Sequence, residues 1–347
     1  MKTVFVGLSG GVDSAVSAAL LKEQGYNVIG AFIKIWRPEF IDCPWQKERL
    51  DAMRVCATLE IPFKEIDLSD EYKKTVIDDM VANYARGITP NPDVLCNRHI
   101  KFGAFAKWAF ENGADFVATG HYAQIQGDAL NSPRRRLIRG KDMNKDQSYF
   151  LWQLKEGDLK RVLFPVGAYT KPEVRALAHK FNLPVAAKKD SQGLCFVGDV
   201  TMREFLAHYL PLEKGEVLDA NGAVIGEHDG AALYTLGERH GFHIHAHTAH
   251  EKPYFVTNID TGKNTVTVSH DRMYAAQTQV RLHDVNWTHV PEDGKKYTAQ
   301  ARYRETLVAC TVANDVVTFD EPHLAPPGQS LVLYQSDMLI GGGMITA

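Results

Sequence analysis

The chain has 347 residues, 45% of them hydrophobic and 23% charged, with a formal net charge of -3; it is long and apolar enough for two or three packed domains, which excludes a disordered chain. Five scattered cysteines, at positions 43, 56, 96, 195 and 310 with no Cys-x-x-Cys pair, exclude a secreted disulfide framework and lend no local support to a cysteine-only zinc or iron–sulfur site. No apolar run is long enough to cross a bilayer, and no basic leader precedes the first strand, so the expectation is a soluble, cytoplasmic protein with no membrane partner.

In chain order, Thr3 to Leu8 reads as a buried strand, Asp13 to Gln24 as a helix stopped by Gly25, and Val28 to Ile35 as a second strand, together a βαβ unit. Between the first strand and its helix lie Gly7, Leu8, Ser9, Gly10, Gly11, Val12, Asp13 and Ser14. Gly10 and Gly11 allow a tight turn with bare amides, Ser9 and Ser14 add hydroxyl donors, and the helix N-terminus favours an anion, so this loop is expected to bind phosphate. It lacks the lysine of a Gly-x-x-x-x-Gly-Lys-Ser/Thr loop, which points away from γ-phosphate transfer and towards chemistry at the other end of ATP.

Further strands are expected at Phe63 to Ile66 and Phe116 to Thr119, with helices at Gln46 to Leu59, Asp70 to Tyr84, Asn97 to Glu111, Lys171 to Phe181 and Met202 to Tyr209. Ahead of the third of these helices stands Thr89-Pro90-Asn91-Pro92-Asp93-Val94-Leu95-Cys96-Asn97. Its two prolines stiffen the loop, Asp93 is placed to cap the helix, and Cys96 is expected in the first turn. There the helix dipole with Arg98 and Lys101 favours thiolate, partly offset by Asp93. Cys56, by contrast, fits a structural thiol in a helix.

The net charge hides an uneven distribution: positions 134 to 189 carry a local +9 and the remainder -12. Arg134, Arg135 and Arg136, read as a solvated hairpin tip or a phosphate-facing cluster, join Lys145 and Lys188 on the expected nucleic-acid side. Cys195 follows Lys188 and Lys189 and lies between Gly193 and Gly198, an exposed, electropositive bend. Beyond about Leu210 the texture is short strands and turns, with hairpins at Glu216 to Leu218 with Val224 to Ile225 and at Tyr254 to Ile259 with Thr265 to Val268, then a wholly β region from Val280 to Ile345. The histidines from His240 to His250, including the alternating His243, His245 and His247, read as a solvated loop without a metal.

Ser-Gly-Gly-x-Asp-Ser after a first strand resembles the phosphate loop of the ATP pyrophosphatases. Together with Asn91-Pro92-Asp93-Val94-Leu95-Cys96-Asn97, Gly120-His121-Tyr122, Lys145-Asp146-Gln147-Ser148, Asp190 to Phe196, Ala301-Arg302-Tyr303-Arg304 and Pro327-Gly328-Gln329, the chain is similar end to end to the bacterial tRNA-specific 2-thiouridylases. The resemblance implies an α/β parallel-sheet ATP pyrophosphatase domain over residues 1–209, a small central β-rich domain over 210–275 and a β-barrel over 276–347. It implies ATP-dependent 2-thiolation of the wobble uridine in tRNAs of the Lys, Glu and Gln type. ATP would sit on Gly7 to Ser14, Ile33 and Gly120, with Mg²⁺ as its counter-ion. Asn91, Pro92 and Asp93 would meet the target base, and Asp93 is a candidate for proton transfer. His121, Lys145, Asp146, Gln147, Arg302, Tyr303 and Gln329 would touch tRNA. Cys96 would be the nucleophile and Cys195 the persulfide carrier, the two ending as a transient disulfide. Sulfur would come from a cysteine desulfurase or a sulfur-relay protein. Departures from the family are the histidine-rich middle loop and Gln192. The alternatives are another ATP pyrophosphatase acting on a different substrate, such as an amide ligase, and a non-catalytic RNA-binding protein.

Overall fold

A computed structural model describes residues 1–40, 45–127, 135–189, 200–246 and 252–346. Cys195, Gln192, Arg134 and His247 lie outside the described residues. Three sheets organise the rest. The first is parallel throughout, in the order Phe63–Asp67, Asn27–Lys34, Thr3–Leu8, Phe116–Ala118, Val162–Leu163. Its central strand is buried from Val4 to Val6, as a parallel sheet covered on both faces requires. Two apolar clusters cover those faces, one including Val16, Leu20 and Val55, the other Phe105, Leu151 and Trp152.

The order of strands fixes where a ligand belongs. From Thr3–Leu8 the chain winds outwards through Asn27–Lys34 to Phe63–Asp67, then returns to the other side of the first strand at Phe116–Ala118. Loops at the carboxyl ends of Thr3–Leu8 and Phe116–Ala118 therefore part in opposite directions and open a crevice. Those loops are Ser9 to Gly11 and Thr119 to His121.

The expected helices appear with two departures in their backbone. The stretch read as one helix from Asp70 to Tyr84 runs Ser69–Tyr72, then a π-helical Lys73–Ile77, then Asp78–Ala85. The helix expected from Asn97 starts earlier, at Pro92–Leu95, widens into a π-helical stretch Cys96–Ala104 and closes as Phe105–Glu111. Gly103 accommodates the widening, since a Cβ there would stand 2.7 Å from the Arg98 carbonyl. The helix is capped by Asn91, whose side chain accepts from Val94 N at 3.4 Å, and not by Asp93. Proline is suited to the first helical position, where an amide has no intrahelical partner. Pro92 takes it, which moves Asp93 into the first turn and Cys96 beyond it.

The second sheet joins Phe242–Ile244, Val224–His228, Gly215–Leu218, Thr265–Ser269 and Phe255–Asp260, with both expected hairpins in antiparallel register. In the third, Gln277–Trp287 pairs with Val316–His323 on one side and Met338–Ile345 on the other, which closes six strands into a barrel. A hairpin from the first half of the chain, Ala123–Gln126 with Arg136–Arg139, extends this sheet through Ile138 opposite Met338. It welds the nucleotide-binding half to the barrel. No helix among the described residues is long and apolar enough to cross a membrane.

Candidate active site

At the crevice, the phosphate loop is held from below and from the side. Gly10 has φ +72°, and a Cβ there would lie 2.5 Å from the Glu48 carbonyl oxygen, so glycine is required both for the turn and for the close approach of the next helix. Ser14 Oγ accepts from Ser9 N at 3.3 Å and donates to Gly11 O at 3.3 Å. Across the crevice, a Cβ on Gly120 would stand 2.6 Å from Ser14 N. Backbone therefore meets helix N-terminus directly, and only glycine permits it. Ile33 lies over Gly7, its Cδ1 3.6 Å from where a Cβ on Gly7 would be.

Asp13 is the charged centre of the loop. Its carboxylate takes both oxygens to Lys171 Nζ, at 2.7 and 2.9 Å, and Oδ1 accepts from the Tyr122 hydroxyl at 2.8 Å. Lys188 Nζ reaches Gly10 O at 3.1 Å and Asp51 Oδ2 at 2.9 Å. The loop has no lysine of its own, but the fold brings two to it; absence of lysine from the local motif does not mean absence of cations from the site. Lys171 and Tyr122 carried no local signal as loop partners, although Tyr122 stands in a motif and Lys171 opens a helix.

The loop with Asn91, Pro92 and Asp93 connects to the same crevice through Lys101. Asp93 is half-buried, and burial pushes its carboxyl above the ordinary 3.8 while the charge of Lys101 pulls the other way. Lys101 Nζ lies 3.4 Å from His121 Nε2, and His121 Nδ1 is 2.7 Å from Thr119 Oγ1. Burial, then Lys101, pushes the His121 imidazole well below 6.5, so it is neutral at pH 7. His121 precedes Tyr122 and follows Gly120, so one short segment touches the phosphate loop on both sides and is linked to Asp93 through the charge of Lys101.

Two other domains grip the loop that leads into Asn91. Thr89 Oγ1 and Thr235 Oγ1 are 2.7 Å apart, and Gln329 Nε2 donates to Thr89 O at 2.7 Å. Gly328, at φ +81°, leaves no room for a Cβ against Ile88. The Pro327-Gly328-Gln329 motif is thus a clasp on the Ile88–Thr89 segment. Tyr149 extends the same seam by donating to Ala301 O and Ser330 O, at 3.1 and 3.0 Å.

Cys96 does not sit in the first turn among polar neighbours, as the sequence suggested. It is buried among Tyr72, Met80, Ile100 and Phe205 at the start of the π-helical stretch. Burial pushes the Cys56 thiol up to about 11 and, with Asp320 adding to it, the Cys310 thiol up to about 12. Both are thus inert thiols at pH 7.

Several expected tRNA contacts turn out to be tied up inside the protein. Asp146 is buried; its carboxylate accepts from Arg139 Nε at 2.8 Å, Gly140 N at 2.9 Å and Ser148 N at 3.1 Å. Gln147 pairs with Tyr122 through Oε1, which accepts from Tyr122 N at 3.0 Å, and so supports the residue that holds Asp13. Arg302 donates to the Leu236 carbonyl of the central domain. Arg135, read as part of a surface cluster, is 5% exposed and donates to Leu159 O and Val162 O, at 2.8 and 3.1 Å. Arg136, Lys145 and Tyr303 keep exposed or half-exposed positions.

A parallel sheet with a glycine-rich anion loop at its switch point, tied to a barrel, is the architecture of a nucleotide-binding protein. Residues 2–199 match the model of the tRNA methyl transferase HUP domain, 203–270 that of the tRNA methyl transferase PRC-barrel domain, and 277–345 that of the aminomethyltransferase beta-barrel domain. A tRNA-specific 2-thiouridylase of Nitrosomonas eutropha is 43% identical over 356 residues, covering 99% of this chain and 98% of that one. Its counterparts in Thiobacillus denitrificans and Francisella tularensis are 44% and 42% identical, each covering 99% of both chains. The chain belongs to the tRNA-specific 2-thiouridylase family.

Proposed function

We propose that this protein is a tRNA-uridine 2-sulfurtransferase, which replaces the 2-oxygen of the wobble uridine with sulfur at the expense of ATP, in tRNAs of the Lys, Glu and Gln type. The observation that supports the reading is the Lys101–His121–Gly120 link: the charge of Lys101 acts on Asp93, its ammonium lies against His121, and Gly120 abuts Ser14, so the Asn91–Asp93 and Gly7–Ser14 loops are joined through one short segment. Family membership over the whole chain supports it. An amide ligase would have no use for a base-holding loop clasped by a barrel, and an RNA-binding protein without catalysis would not need the phosphate loop.

An oxygen on a pyrimidine ring is a poor leaving group, so the 2-oxygen must first be activated. It attacks the α-phosphorus of ATP, pyrophosphate leaves, and the loop amides of Gly10 and Gly11 stabilise the charge that develops. Mg²⁺ would accompany ATP as its counter-ion, with Asp13 the loop's carboxylate. Sulfur from a Cys195 persulfide then goes to C2 and AMP leaves. Either Cys96 releases the outer sulfur as sulfide, which adds to C2, or the persulfide adds directly and Cys96 breaks the remaining S–S bond; both routes end in a Cys96–Cys195 disulfide that a cellular reductant reopens. Asp93, pushed towards neutrality by burial, suits the proton traffic of the activated base. Lys145 and Tyr303 would meet the anticodon arm, while Arg302 and Gln329, held by the Leu236 and Thr89 carbonyls, would act by fixing the seam beside it, and the sulfur would arrive from a cysteine desulfurase or a sulfur-relay protein. The protein would act in the cytoplasm.

The test is to incubate the protein with ATP, unmodified tRNA and a persulfide donor, then analyse nucleosides by mass spectrometry and nucleotides by chromatography. Thiouridine with AMP and pyrophosphate is expected. ADP as the product, or sulfur at another position, would overturn the assignment.

A further inference from the structure

The phosphate loop places a carboxylate, Asp13, at the N-terminus of the Val12–Glu23 helix, where an anionic ligand is meant to bind. A bare carboxylate there would repel a nucleotide's phosphates. The structure compensates it with Lys171, whose side chain is 12% exposed against 32% for Asp13. Lys171 is well anchored for this. It opens the Lys171–Lys180 helix, which Thr170 and Glu173 cap, and its backbone N–H donates to Asp142 Oδ2 at 2.9 Å. Its ammonium lies 5.8 Å from the centroid of the Tyr122 ring, the residue that shares Asp13 with it. The backbone of Lys171 is thus fixed, while its long stem leaves the ammonium able to turn about that anchor.

We propose that Lys171 is a pyrophosphate-side residue of the ATP site, its ammonium held in reserve on Asp13 in the empty protein and passed to the β- and γ-phosphates when ATP enters. The proposal rests on Gly7 to Ser14 being the ATP phosphate loop. Asp13 acts as a stand-in for phosphate charge. It keeps Lys171 at the mouth of the loop, where the ammonium is neither lost to solvent nor left uncompensated. The fold thereby supplies from position 171 the cation that other phosphate loops carry within their own motif. Lys188, bound to Gly10 O and Asp51, is committed to holding the loop's shape.

Binding can be measured by calorimetry without tRNA or sulfur, so the outcome does not depend on thiolation. Lys171→Met should weaken ATP by about tenfold or more, the worth of a charge-assisted contact to phosphate, while AMP, which lacks both outer phosphates, should change by less than about twofold. Lys171→Arg should recover most of the ATP affinity. With a chelator present, Asp13→Asn should bind inorganic pyrophosphate more tightly than the wild type, because the competing carboxylate is gone, and the gain should vanish in the Asp13→Asn/Lys171→Met double variant. If Lys171→Met alone does not fold, the same ATP and AMP comparison is made between Asp13→Asn and the double variant, where no unpaired carboxylate remains. Equal loss of ATP and AMP, no loss of either, or no gain of pyrophosphate in Asp13→Asn overturns the role of Lys171. Wild-type protein that fails to bind ATP at all overturns the reading of the loop instead.

Discussion

Gln329, on the terminal barrel, donates its amide to the Thr89 carbonyl at 2.7 Å, a contact that spans 240 positions of sequence and fixes the loop ahead of Asn91 to the barrel. If Asn91 to Asp93 hold the target base as proposed, the barrel takes part in positioning it. Gln329→Ala removes the amide's hydrogen bonds to the Thr89 and Pro90 carbonyls, the second of them long at 3.4 Å, and should cost about 1 kcal/mol, or about fivefold, in kcat/KM for tRNA. ATP affinity should be unchanged, because the phosphate loop lies on other elements. Gly328→Ala should do more, since any Cβ there strikes Ile88 in a left-handed backbone conformation. Steady-state thiolation with each variant, beside ATP titrations, checks both; parallel losses in ATP binding would mean that the clasp supports the whole fold rather than the base loop.

Arg135 and Arg136 are neighbours with opposite expected roles. Arg135 is buried on the carbonyls of Leu159 and Val162, so Arg135→Ala should lower the melting temperature, with a loss of about 1–3 kcal/mol for the carbonyls left behind. Arg136 is exposed. Its replacement by alanine should leave stability alone and, if it faces a phosphate, reduce the salt slope of tRNA binding by about one. Binding measured across a salt series and thermal melts separate the two, and a reduced slope for Arg135→Ala with an unchanged melt would reverse this assignment.

How far the site was legible follows from which contacts are local. The phosphate loop was readable because strand, glycines, hydroxyls and helix are consecutive, and the strand order then put it at a crevice without further information. Lys171 and Tyr122 were not readable as its partners, because only the folded sheet brings positions 13, 122 and 171 together. Charge misled in the other direction: Asp146 in a polar motif looked like an RNA contact, yet its carboxylate is bound by Arg139 and two backbone amides, and sequence does not distinguish a charge facing solvent from one closing an internal turn. The cap at Asn91 was missed for a narrower reason. Two prolines bracket it, and Pro92 takes the first helical position, which shifts the helix start by two residues from Asp93.

His121 supplies a pH dependence whose sign is fixed. Its folded-state value lies well below the ordinary 6.5 because it is buried and because Lys101 stands beside it. Above 6.5 neither folded nor unfolded protein holds the proton; as pH falls through 6.5 the unfolded chain takes it up and the folded one does not. Stability is therefore fully present above that value and lost below it, at a rate of up to about 1.4 kcal/mol per pH unit for one such proton. His99 and His228 are lowered as well, chiefly by burial, and add to the effect. His121→Gln keeps a polar group towards Thr119 and should make the fall in stability between pH 6.5 and about 5 shallower. Urea unfolding across that range measures it; an unchanged slope would show that the proton is taken up elsewhere.

Asp93 behaves in the opposite sense. Burial raises its carboxyl above 3.8, and Lys101 offsets only part of this. The folded protein takes up that proton at a higher pH than the unfolded chain, so the site is unstrained at low pH and carries a desolvation penalty once pH has risen past the folded value. Asp93→Asn should thus leave the protein at least as stable as the wild type at pH 7, with the difference closing at acid pH, while thiolation falls and loses the acid limb of its pH profile. Full thiolation by a stable Asp93→Asn protein would remove Asp93 from the proton traffic.

The last expectation concerns Cys96 and Cys195, which are 99 positions apart. Transfer of sulfur from a Cys195 persulfide requires an S–S bond to be broken, and a neighbouring thiolate is the direct agent. Cys96 lies in an apolar pocket lined by Tyr72, Met80 and Phe205 at the end of the base-holding loop, a place where a thiol is shielded from adventitious oxidants until its partner is delivered. The two cysteines should then be indispensable for different reasons. Cys195→Ala should fail to load a persulfide yet still release pyrophosphate with tRNA and ATP, whereas Cys96→Ala should load it and stall. Cys56→Ala and Cys310→Ala should remain active, because both thiols are held protonated by burial. After one turnover without reductant, wild-type protein should yield a cross-linked peptide joining Cys96 to Cys195, which requires their α-carbons to come within about 7 Å. Peptide mapping decides the matter: thiolated tRNA formed in full with both thiols free would sink the paired-cysteine mechanism.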